Sequence, residues 1–583
     1  MRMAFDGLVC RLVCEELQQV LSGGRLERIH QPNEHEVLLV IFRYGERHRL
    51  LISTHPQRAR LHLTNAEREN PARPLRFCQV MRKHLSGARI QGFSQRALDR
   101  IVEIELVAWN RFGEQCQPRL IAELTGRFAN LVLVDEAGII LDGIKQLGGP
   151  TTDSERDVFP GAPYRYPPSQ AKLSLDKCSE SALAQVLRHS SGPVWRSLLQ
   201  TVDGIGPLVA RELIRRAGFP PDTDGPLTDI SPLCNVITAL HQQIAQGDLK
   251  PVLLRDRYGL PREVVAIAIT AWEGTIEEKE SISAVLDQVY SQLEKTEAFR
   301  SQAGNLQTII KKHLQRAARK LSARQSQLLQ AEDADRHRRA GELLTAHLHM
   351  VRRGMTEVTV PDFYDPQGRR AQIALDPQLD PAANAQSYFH LYRKAQRTIA
   401  QISERIDETK QEISYLEGIA TALAQAETLA DIEAIADELT AQGYLKKGRS
   451  RPRAQGQSQP RRFRSSQGYL IMVGRNNRHN DYLTLRWAQP DDVWLHTKDL
   501  PGSHVIIRRD NPAAEVPAQT LGEAARLAAY FSKGRWSSNV PVDYTYCRYV
   551  RKPAGAKPGY VIYDHHRTIF VTPEQTEVMA LQD

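Results

Sequence analysis

A chain of 583 residues is too long for one hydrophobic core and predicts about three to five domains of roughly 100–200 residues each. Its formal charge of +9 and pI near 9.1 favour a polyanionic partner wherever the basic residues cluster. Seven cysteines without a CxxC pair argue against a zinc ribbon, a redox motif or a disulfide framework, and favour a cytoplasmic protein. The sequence shows no signal-peptide pattern and no run of 18 apolar residues, so no membrane partner is expected.

Residues 1–170 predict a mixed α/β domain. The spacing in "LVCRLVCEELQQVL" predicts a helix, whereas "HEVLLVIF" and "RIVEIELVAW" alternate as strands do. The stretch "NLVLVDEAGIILDGI" predicts a β-hairpin that turns at Glu136-Ala137-Gly138. Helix and strand signals therefore alternate along this part of the chain.

A helix-hairpin-helix is predicted within residues 171–275, at "LLQTVDGIGPLVARELIRRAG". Gly204 and Gly206 would form its turn, where glycine amides and the following helix N-terminus can hold a phosphate. A glycine turn between any two helices has the same pattern, so the phosphate role of these residues stays open.

Residues 276–445 predict an antiparallel coiled-coil arm, with a helical bundle as the alternative. Two long helical segments, about 282–350 and 384–425, flank a small β insert at about 351–383. The first segment has no acidic residue between Glu297 and Glu332, although a solvated helix normally mixes charge signs. This imbalance indicates a phosphate-rich partner. The candidate contacts are Lys311, Lys312, Arg316, Arg319 and Lys320.

A basic linker is predicted for residues 446–464, which carry eight basic and no acidic side chains among Gly, Ser, Gln and Pro. A solubilising spacer is the alternative. Residues 465–583 predict an α/β domain that begins with a hairpin or strand pair around the loop 475–481. Its tyrosines Tyr544, Tyr546 and Tyr549 suit either base stacking or a half-buried strand.

The candidate contacts in this domain are Lys498, His504, Arg508, Arg548, Arg551 and Lys552.

The stretch "DVWLHTKDLPGSHVIIRRD" holds the residue types of a catalytic site. Ser503 and His504 are neighbours, so their side chains point to opposite faces of a strand and a direct Ser-His pair is not expected. The histidines lack zinc spacing and no nucleotide-binding glycine loop is found, so neither a metal nor a cofactor is expected. The Pro501-Gly502 pair instead predicts a turn that grips a ligand.

A set of motifs in one order resembles the NFACT family along nearly the whole chain. They are "MAFDG", "GGRLERIHQP", "FCQVMRKHLSGARI", "LDRIVEIE", "ELTGRFANLVLVD", "LDPQLDPAANAQSYFHLYRKA", "GRNNRHNDYLTL", "WLHTKDLPGSHVII" and "PVDYTYCRYVRKPAGAKPGYVIY". The resemblance implies a multidomain α+β fold with the same parts: an NFACT N-terminal domain, a helix-hairpin-helix, the arm with its insert, and an RNA-binding C-terminal domain.

By this resemblance the chain is expected to bind a large ribosomal subunit that retains peptidyl-tRNA after a stalled ribosome splits. It would recruit tRNA, chiefly alanyl-tRNA, for untemplated C-terminal alanine tailing of the nascent chain, with a small companion RNA-binding factor as a further partner. The family's Asp-Arg pair for tRNA falls on Asp99 and Arg100. An arginine can bind phosphate or a base edge in bidentate fashion, whereas a surface Asp-Arg ion pair alone would contribute little.

Two other functions remain open from the sequence. The resemblance also extends to DNA glycosylases that use an N-terminal proline, and the helix-hairpin-helix suits DNA, but the sequence starts Met1-Arg2-Met3 without proline. A fibronectin-binding surface adhesin is the second alternative, and the missing signal-peptide pattern argues against it. We therefore expect a binding factor, with the peptide bond made by the ribosome.

Overall fold

The structure is a computed structural model that describes residues 5–110, 112–148, 156–168, 171–187, 192–225, 227, 229–332, 334–446, 458–511 and 514–582. The chain divides into two compact units, residues 1–295 and 296–583. Each unit combines helices with antiparallel sheet, so the predicted multidomain α+β class is confirmed.

The first unit contains an antiparallel sheet of ten strands among the described residues. They are β1 (Arg25–Asn33), β2 (Glu36–Arg43), β3 (Glu46–Ser53), β4 (Arg60–Leu63), β5 (Arg89–Gln95), β6 (Ile101–Trp109), β7 (Gln115–Cys116), β8 (Arg119–Glu123), β9 (Asn130–Val134) and β10 (Ile140–Gly143). Their order is β10-β9-β8-β6-β5-β1-β2-β3-β4, and β7 pairs with β6. The predicted hairpin at Glu136–Gly138 is confirmed as the β9–β10 connection.

Helix α1 (Gly7–Leu21) packs against this sheet, as its apolar spacing predicts. It buries Leu8, Leu12 and Leu17, and Asp6 caps its N-terminus because Oδ1 accepts a hydrogen bond from Val9 N at 2.9 Å. Helix α2 (Arg76–Leu85) packs against β1 and joins the same hydrophobic core.

The remainder of the first unit is a helical group followed by a small sheet. The predicted helix-hairpin-helix is confirmed, because two short helices flank a turn over residues 202–206. The small sheet, in the order β12-β11-β13, was not predicted from the sequence. The elements are α3 (Glu180–Leu187), α4 (Val194–Thr201), α5 (Pro207–Arg216), α6 (Ser231–Ala245), β11 (Val252–Asp256), β12 (Pro261–Val265) and β13 (Gly274–Glu278).

Long helices make up the arm of the second unit. Helix α7 (Ile282–Glu332) begins in the first unit and is followed by α8 (Ala334–Ala346), α9 (Pro381–Ala424) and α10 (Leu429–Ala441). Ile310 packs with Ile419, while Arg324 contacts the Arg405 carbonyl, so α7 and α9 run antiparallel as predicted. Helix α10 packs beside them through residues such as Ile432, which gives this end of the arm three helices. The predicted β insert is the pair β14 (Glu357–Pro361) and β15 (Arg370–Ala374).

A six-stranded antiparallel sheet organises the C-terminal domain, in the order β16-β17-β19-β18-β20-β23. Helix α12 packs its small residues on one face, and Trp494 belongs to a second core cluster. The elements are β16 (Arg461–Arg464), β17 (Leu470–Val473), α11 (Asn477–Tyr482), β18 (Val493–Thr497), β19 (Val505–Ile507), α12 (Ala518–Tyr530), β20 (Val540–Tyr546), β21 (Val550–Arg551), β22 (Ile562–Tyr563), β23 (Arg567–Val571) and α13 (Gln575–Ala580).

Two predictions for this domain need correction. The hairpin expected around 475–481 is wrong, because α11 and a π-helix (Leu483–Trp487) follow β17. Asn476 caps α11 by accepting from His479 N at 2.9 Å, which fixes a helix start that the apolar pattern does not reveal. The basic linker predicted for 446–464 lies mostly outside the described residues, and its last four residues form strand β16.

Candidate nucleic-acid interface

Asp99 and Arg100 lie in the turn that joins β5 to β6. Asp99 Oδ1 accepts a hydrogen bond from Arg100 N at 2.7 Å, and Asp99 N donates to the Arg96 carbonyl at 3.0 Å. Gln95 Nε2 donates at 2.9 Å to both the Asp99 and Gly7 carbonyls. The turn is therefore tied to the start of helix α1 as well as to its own strands.

The helix-hairpin-helix turn packs directly against the Asp99–Arg100 turn. Gly204 has a φ of +78°, and a Cβ placed on it would lie 2.5 Å from Leu98 Cβ. A Cβ on Gly7 would lie 1.9 Å from the Leu98 carbonyl oxygen and 2.6 Å from Gly204 Cα. Only glycine allows these backbones to approach so closely. Gly7 and Gly204 therefore let the turn that carries Asp99 and Arg100 pack closely against them through Leu98. We call the contact of Gly7, Leu98 and Gly204 the glycine seat.

Two amides of the helix-hairpin-helix turn have carboxylate partners inside the protein. Asp203 Oδ1 accepts from Gly204 N at 2.9 Å, and the Asp6 carboxylate is hydrogen-bonded to the amide of Gly206, which is buried. Two carboxylates at this turn repel a phosphate rather than attract one. Gly204 serves close packing, and the phosphate role of Gly204 and Gly206 stays a prediction.

A cavity of about 210 Å³ opens beside Arg100 and is also lined by Lys172 and Asp203. The Arg100 guanidinium makes no hydrogen bond or ion pair to any residue that the structure describes, and Asp99 Oδ1 is bonded to the Arg100 backbone amide. An arginine without an internal partner beside carboxylate acceptors suits a ligand with both acceptor and donor atoms, such as a base edge.

Burial shifts the titration of the groups around Arg100. It raises the pKa of Asp6 to about 6, against the opposing hydrogen bonds from Val9 and Gly206 and the charge of Arg100. Burial also lowers the pKa of Lys172, and it raises the pKa of Asp203 together with the nearby Asp99 charge. Shifted groups that converge on one small cavity are typical of functional sites.

Sequence reasoning missed three residues of this site. Asp203 directly precedes the glycine turn, and Asp6 directly precedes the apolar pattern of α1, so both occupied recognisable capping or turn positions. Lys172 carries no such signal, because only the fold brings it to the cavity.

The five predicted arm cations all lie on the solvent side of α7. Lys320 Nζ lies 3.7 Å from Glu412 Oε2, whereas the other four make no hydrogen bond or ion pair to the described part of the chain. Arg324 differs from them, because its guanidinium donates to the Arg405 carbonyl and Thr409 Oγ1 of α9. The arm therefore offers a row of cations with few internal partners, namely Lys311, Lys312, Arg316 and Arg319.

The Pro501-Gly502 turn separates β18 from β19. Ser503 Oγ donates to the Gly474 carbonyl at 2.5 Å, and His504 Nδ1 lies 2.7 Å from Thr484 Oγ1, so the two side chains form no Ser-His pair. His504 is 1% exposed, and burial holds its pKa well below its usual range. The RNA contact by His504 stays a prediction, and burial of the ring does not favour it, since a neutral buried imidazole is not a charged surface donor. Lys498 remains exposed.

A cavity of about 720 Å³ lies beside this turn, between the C-terminal domain and helix α9. Trp494, His496 and Tyr563 line it, and the Trp494 and His496 rings stack with centroids 5.8 Å apart. Burial lowers the pKa of His496 to about 4, so this imidazole is neutral at physiological pH. Lys557 Nζ sits 4.6 Å and 4.8 Å from the ring centroids of Tyr415 and Tyr444.

The other predicted cations of the C-terminal domain have acidic partners. Arg508 Nη1 lies 3.4 Å from Asp492 Oδ2, and its guanidinium stacks over Trp487 at 3.8 Å. Arg548 pairs with Asp491, Arg551 with Asp564, and Lys552 with Asp481. Tyr544 and Tyr546 pack against the core from β20, which favours the half-buried strand for these two tyrosines.

Among the described residues, no group of three His, Cys, Asp or Glu side chains is arranged to hold a metal ion. Within the same residues, no helix is both long and apolar enough to cross a membrane.

Residues 6–458 match the NFACT N-terminal and middle domains, and residues 459–564 match the NFACT protein RNA binding domain. Together with the fold, these matches define a multidomain protein that contains an RNA binding domain. The chain belongs to the NFACT family.

Relatives cover the chain from end to end. The Rqc2 homolog RqcH of Bacillus subtilis is 36% identical over 100% of both chains, and RqcH of Streptococcus pneumoniae is 34% identical over the same shares. The ribosome quality control complex subunit NEMF of Mus musculus is 26% identical over 38% of this chain and 20% of its own. A solved structure of the C-terminal part of a fibronectin/fibrinogen-binding protein from Streptococcus suis covers 49% of this chain and 99% of its own, at 33% identity and a TM-score of 0.40. The chain is thus homologous to RqcH and NEMF.

Proposed function

We propose that this protein binds a large ribosomal subunit that retains peptidyl-tRNA and recruits tRNA for untemplated C-terminal alanine tailing of the stalled nascent chain. Alanyl-tRNA is the proposed cargo, the ribosome forms the peptide bonds, and a small companion RNA-binding factor is a proposed further partner. Full-length similarity to proteins named as Rqc2 homologues supports this assignment. So does the match of residues 459–564 to an RNA binding domain.

The observation that carries the tRNA role is the unpartnered guanidinium of Arg100. Folding leaves this cation without an internal hydrogen bond or ion pair in the described structure, while its backbone is fixed by Asp99 and the glycine seat. Because the backbone of Arg100 is already fixed, only its side chain loses freedom when it binds, and its hydrogen bonds to phosphate or a base edge replace no internal bond. Asp99 would orient the turn and offer an acceptor to a base amine.

The arm cations on α7 are proposed to contact ribosomal RNA. Four exposed and largely unpartnered cations, Lys311, Lys312, Arg316 and Arg319, lie within three turns of one helix. Phosphate contacts of this kind release counterions, so binding to the subunit should weaken steeply with salt.

The test of the tRNA role is tRNA binding by the full-length protein carrying Asp99→Ala/Arg100→Ala. We expect affinity for deacylated tRNA to fall at least tenfold, while the far-UV CD spectrum and Tm change little because both side chains are only half-buried. Arg257→Ala, which removes one exposed cation from the β11–β12 connection, is the matched control and should bind tRNA as the wild type does. Undiminished tRNA binding by the double variant would refute the assignment.

A finer comparison separates the two roles of Asp99. Asp99→Asn keeps an oxygen that can accept from Arg100 N but removes the charge, whereas Asp99→Ala removes both. If Asp99 mainly shapes the turn, Asp99→Asn retains most tRNA affinity and Asp99→Ala loses it. Equal losses in both variants would show that the carboxylate charge itself faces the RNA.

The proposal assigns no bond-making step to the polypeptide. Purified protein incubated with a damaged DNA duplex should release no base. Turnover in that assay would contradict the proposal and revive the glycosylase alternative.

A further inference from the structure

A row of exposed side chains crosses three strands on one face of the N-terminal sheet. Arg25 of β1 is paired with Phe42 of β2 on one side and with Arg89 of β5 on the other. Directly paired residues of antiparallel strands project from the same face, with Cβ atoms about 4.5–5.5 Å apart. Two arginines therefore stand next to each other across β1 and β5.

Neither of these arginines has an acidic partner. Arg25 and Arg89 are both exposed, and neither guanidinium makes a hydrogen bond or ion pair to a residue within the described ranges. Like charges directly opposite each other destabilise a sheet. An anion placed between the two guanidinium groups would turn this repulsion into attraction.

The two arginines line a surface depression with a volume of about 500 Å³, together with Arg43 and Tyr44. The one carboxylate among its lining residues belongs to Glu27, which accepts a hydrogen bond from Arg47 Nε at 2.8 Å. Three guanidinium groups thus surround a depression whose carboxylate is already neutralised by a neighbour.

Tyr44 occupies an unfavourable backbone position at the rim of this depression. It forms the two-residue turn between β2 and β3 with Gly45, and their φ angles are +50° and +90°. Turns with two positive φ angles favour Asn, Asp or Gly, so a tyrosine there is strained. Its side chain is 88% exposed, and the Arg43 guanidinium lies 4.5 Å from the centroid of its ring. Strained backbone positions cluster at active sites and ligand-binding sites.

We propose that Arg25, Arg43, Tyr44 and Arg89 form an RNA-binding site, in which the arginines hold backbone phosphates and an unstacked base lies on the Tyr44 ring. Phosphate-binding guanidiniums beside an exposed aromatic ring are the combination that single-stranded or looped RNA requires. We call these four residues the β1–β5 arginine site.

The β1–β5 arginine site is separate from the Asp99–Arg100 turn. Arg89 begins strand β5 and Gln95 ends it, so the two sites lie at opposite ends of one strand, about 20 Å apart at 3.3 Å per residue. The inference rests on the proposed function only in taking RNA as the partner. A structured RNA that reaches both ends of β5 would be held at two points.

The deciding experiment measures fluorescence anisotropy of a labelled 12-nucleotide oligouridine with the full-length protein over a range of KCl concentrations. Arg25→Gln/Arg89→Gln should lower affinity at least tenfold. Each lost phosphate contact on a single strand reduces the slope of log affinity against log salt by about 0.7, so the slope should decrease by about 1.4. The Tm should stay equal or rise, because the variant removes a repulsive pair.

A second variant tests the base-stacking role. Tyr44→Asn places a residue that this turn favours, so the Tm should rise while oligouridine affinity falls at least fivefold. A variant that is more stable yet binds less RNA separates a binding role from a structural one.

The matched control is Arg49→Gln/Arg257→Gln, which removes the same charge from two exposed positions outside the site and should change affinity less than twofold. All variants are repeated in an Arg100→Ala background, where the losses should persist because the two sites are distant. Loss in the site variants alone supports the proposal, whether or not Arg100 proves to bind tRNA. Equal losses in the control, or undiminished binding by the folded site variants, would overturn it.

Discussion

The Asp99–Arg100 turn and the basic end of the C-terminal domain use arginine in opposite ways. At the turn, one arginine is held by backbone bonds and its charge has no internal partner in the described structure. In the C-terminal domain, Arg508, Arg548 and Arg551 each face an aspartate within 3.4 Å. A cluster of cations in sequence therefore does not indicate which of them are available to a ligand. Availability depends on which acidic residues the fold places beside them.

The largest effect is expected from Gly204→Ala, which disturbs the Asp99–Arg100 turn without changing any charge. The new Cβ would lie 2.5 Å from Leu98 Cβ at a backbone φ of +78°. Overpacking and left-handed strain together should cost about 3 kcal/mol or more of unfolding free energy. Displacement of the turn should also lower tRNA affinity at least tenfold. Thermal unfolding and tRNA anisotropy measure the two effects.

Gly218→Ala is the control for this prediction. Gly218 has a φ of +87°, but no atom lies within 4 Å of the position that a Cβ would take, so its substitution introduces strain without the clash. We expect a loss of about 1 kcal/mol and wild-type tRNA affinity. If Gly204→Ala binds tRNA as well as Gly218→Ala does, the glycine seat does not position Arg100.

The next largest effect concerns Asp6, whose pKa burial raises to about 6 in the folded protein from an ordinary value of 3.8. Because the folded state binds the Asp6 proton more tightly than the unfolded state does, protonation stabilises the fold. This contribution is complete below about pH 4 and is lost as the pH rises through about 6. Asp6→Asn keeps a capping oxygen for Val9 N but cannot ionise. The unfolding free energy of the variant relative to wild type should therefore increase by about 2 kcal/mol between pH 4 and pH 7.5.

Chemical denaturation at a series of pH values measures this difference. Asp222→Asn, at a carboxylate with a 72% exposed side chain, is the control and should show no such increase. A pH-independent difference for Asp6→Asn would show that the Asp6 carboxyl does not titrate in this range.

A smaller but specific effect is expected on the arm. Lys312→Gln/Arg316→Gln/Arg319→Gln removes three exposed cations that have no internal partner among the described residues, so the fold should be unaffected. Affinity for purified large ribosomal subunits should fall about tenfold at moderate salt, and the salt slope should decrease by about two to three. Co-sedimentation over a salt series gives both values. An unchanged slope would contradict the contact with ribosomal RNA.

The smallest effect is expected from cations that are already paired. Arg548→Gln/Arg551→Gln removes two charges whose partners are Asp491 and Asp564. Each arginine must leave its aspartate before it can bind RNA, and the lost ion pair offsets part of the binding free energy. Affinity for subunits should therefore change less than threefold. A loss as large as that of the arm variant would mean that internal pairing does not limit availability.

Elements with long, local signals could be predicted from the sequence. The helix expected over about 384–425 is observed as Pro381–Ala424, because apolar residues repeat at helical spacing over more than ten turns. The hairpin at Glu136–Gly138 is also local, since its turn and both strands lie within 14 residues. These features depend little on distant parts of the chain.

Features set by contacts between distant residues could not be predicted. The segment after β17 is helical because Gly474 allows Asn480 to approach, since a Cβ on Gly474 would lie 2.0 Å from Asn480 Oδ1. His504 is buried because a helical segment covers it, and Lys552 is paired with Asp481, 71 residues away. Sequence identified the Asp99 and Arg100 pair by resemblance, but only the fold shows that Arg100 is unpartnered.

The most direct measurement is sequencing of the RNA that co-purifies with the full-length protein and with its Arg100→Ala variant under gentle, low-salt lysis. The wild type should recover large-subunit ribosomal RNA together with tRNA enriched in alanine isoacceptors. Arg100→Ala should retain the ribosomal RNA and lose the tRNA. Equal tRNA recovery from both proteins would contradict the role of the unpartnered arginine, and absence of ribosomal RNA from both would contradict the proposed function as a whole.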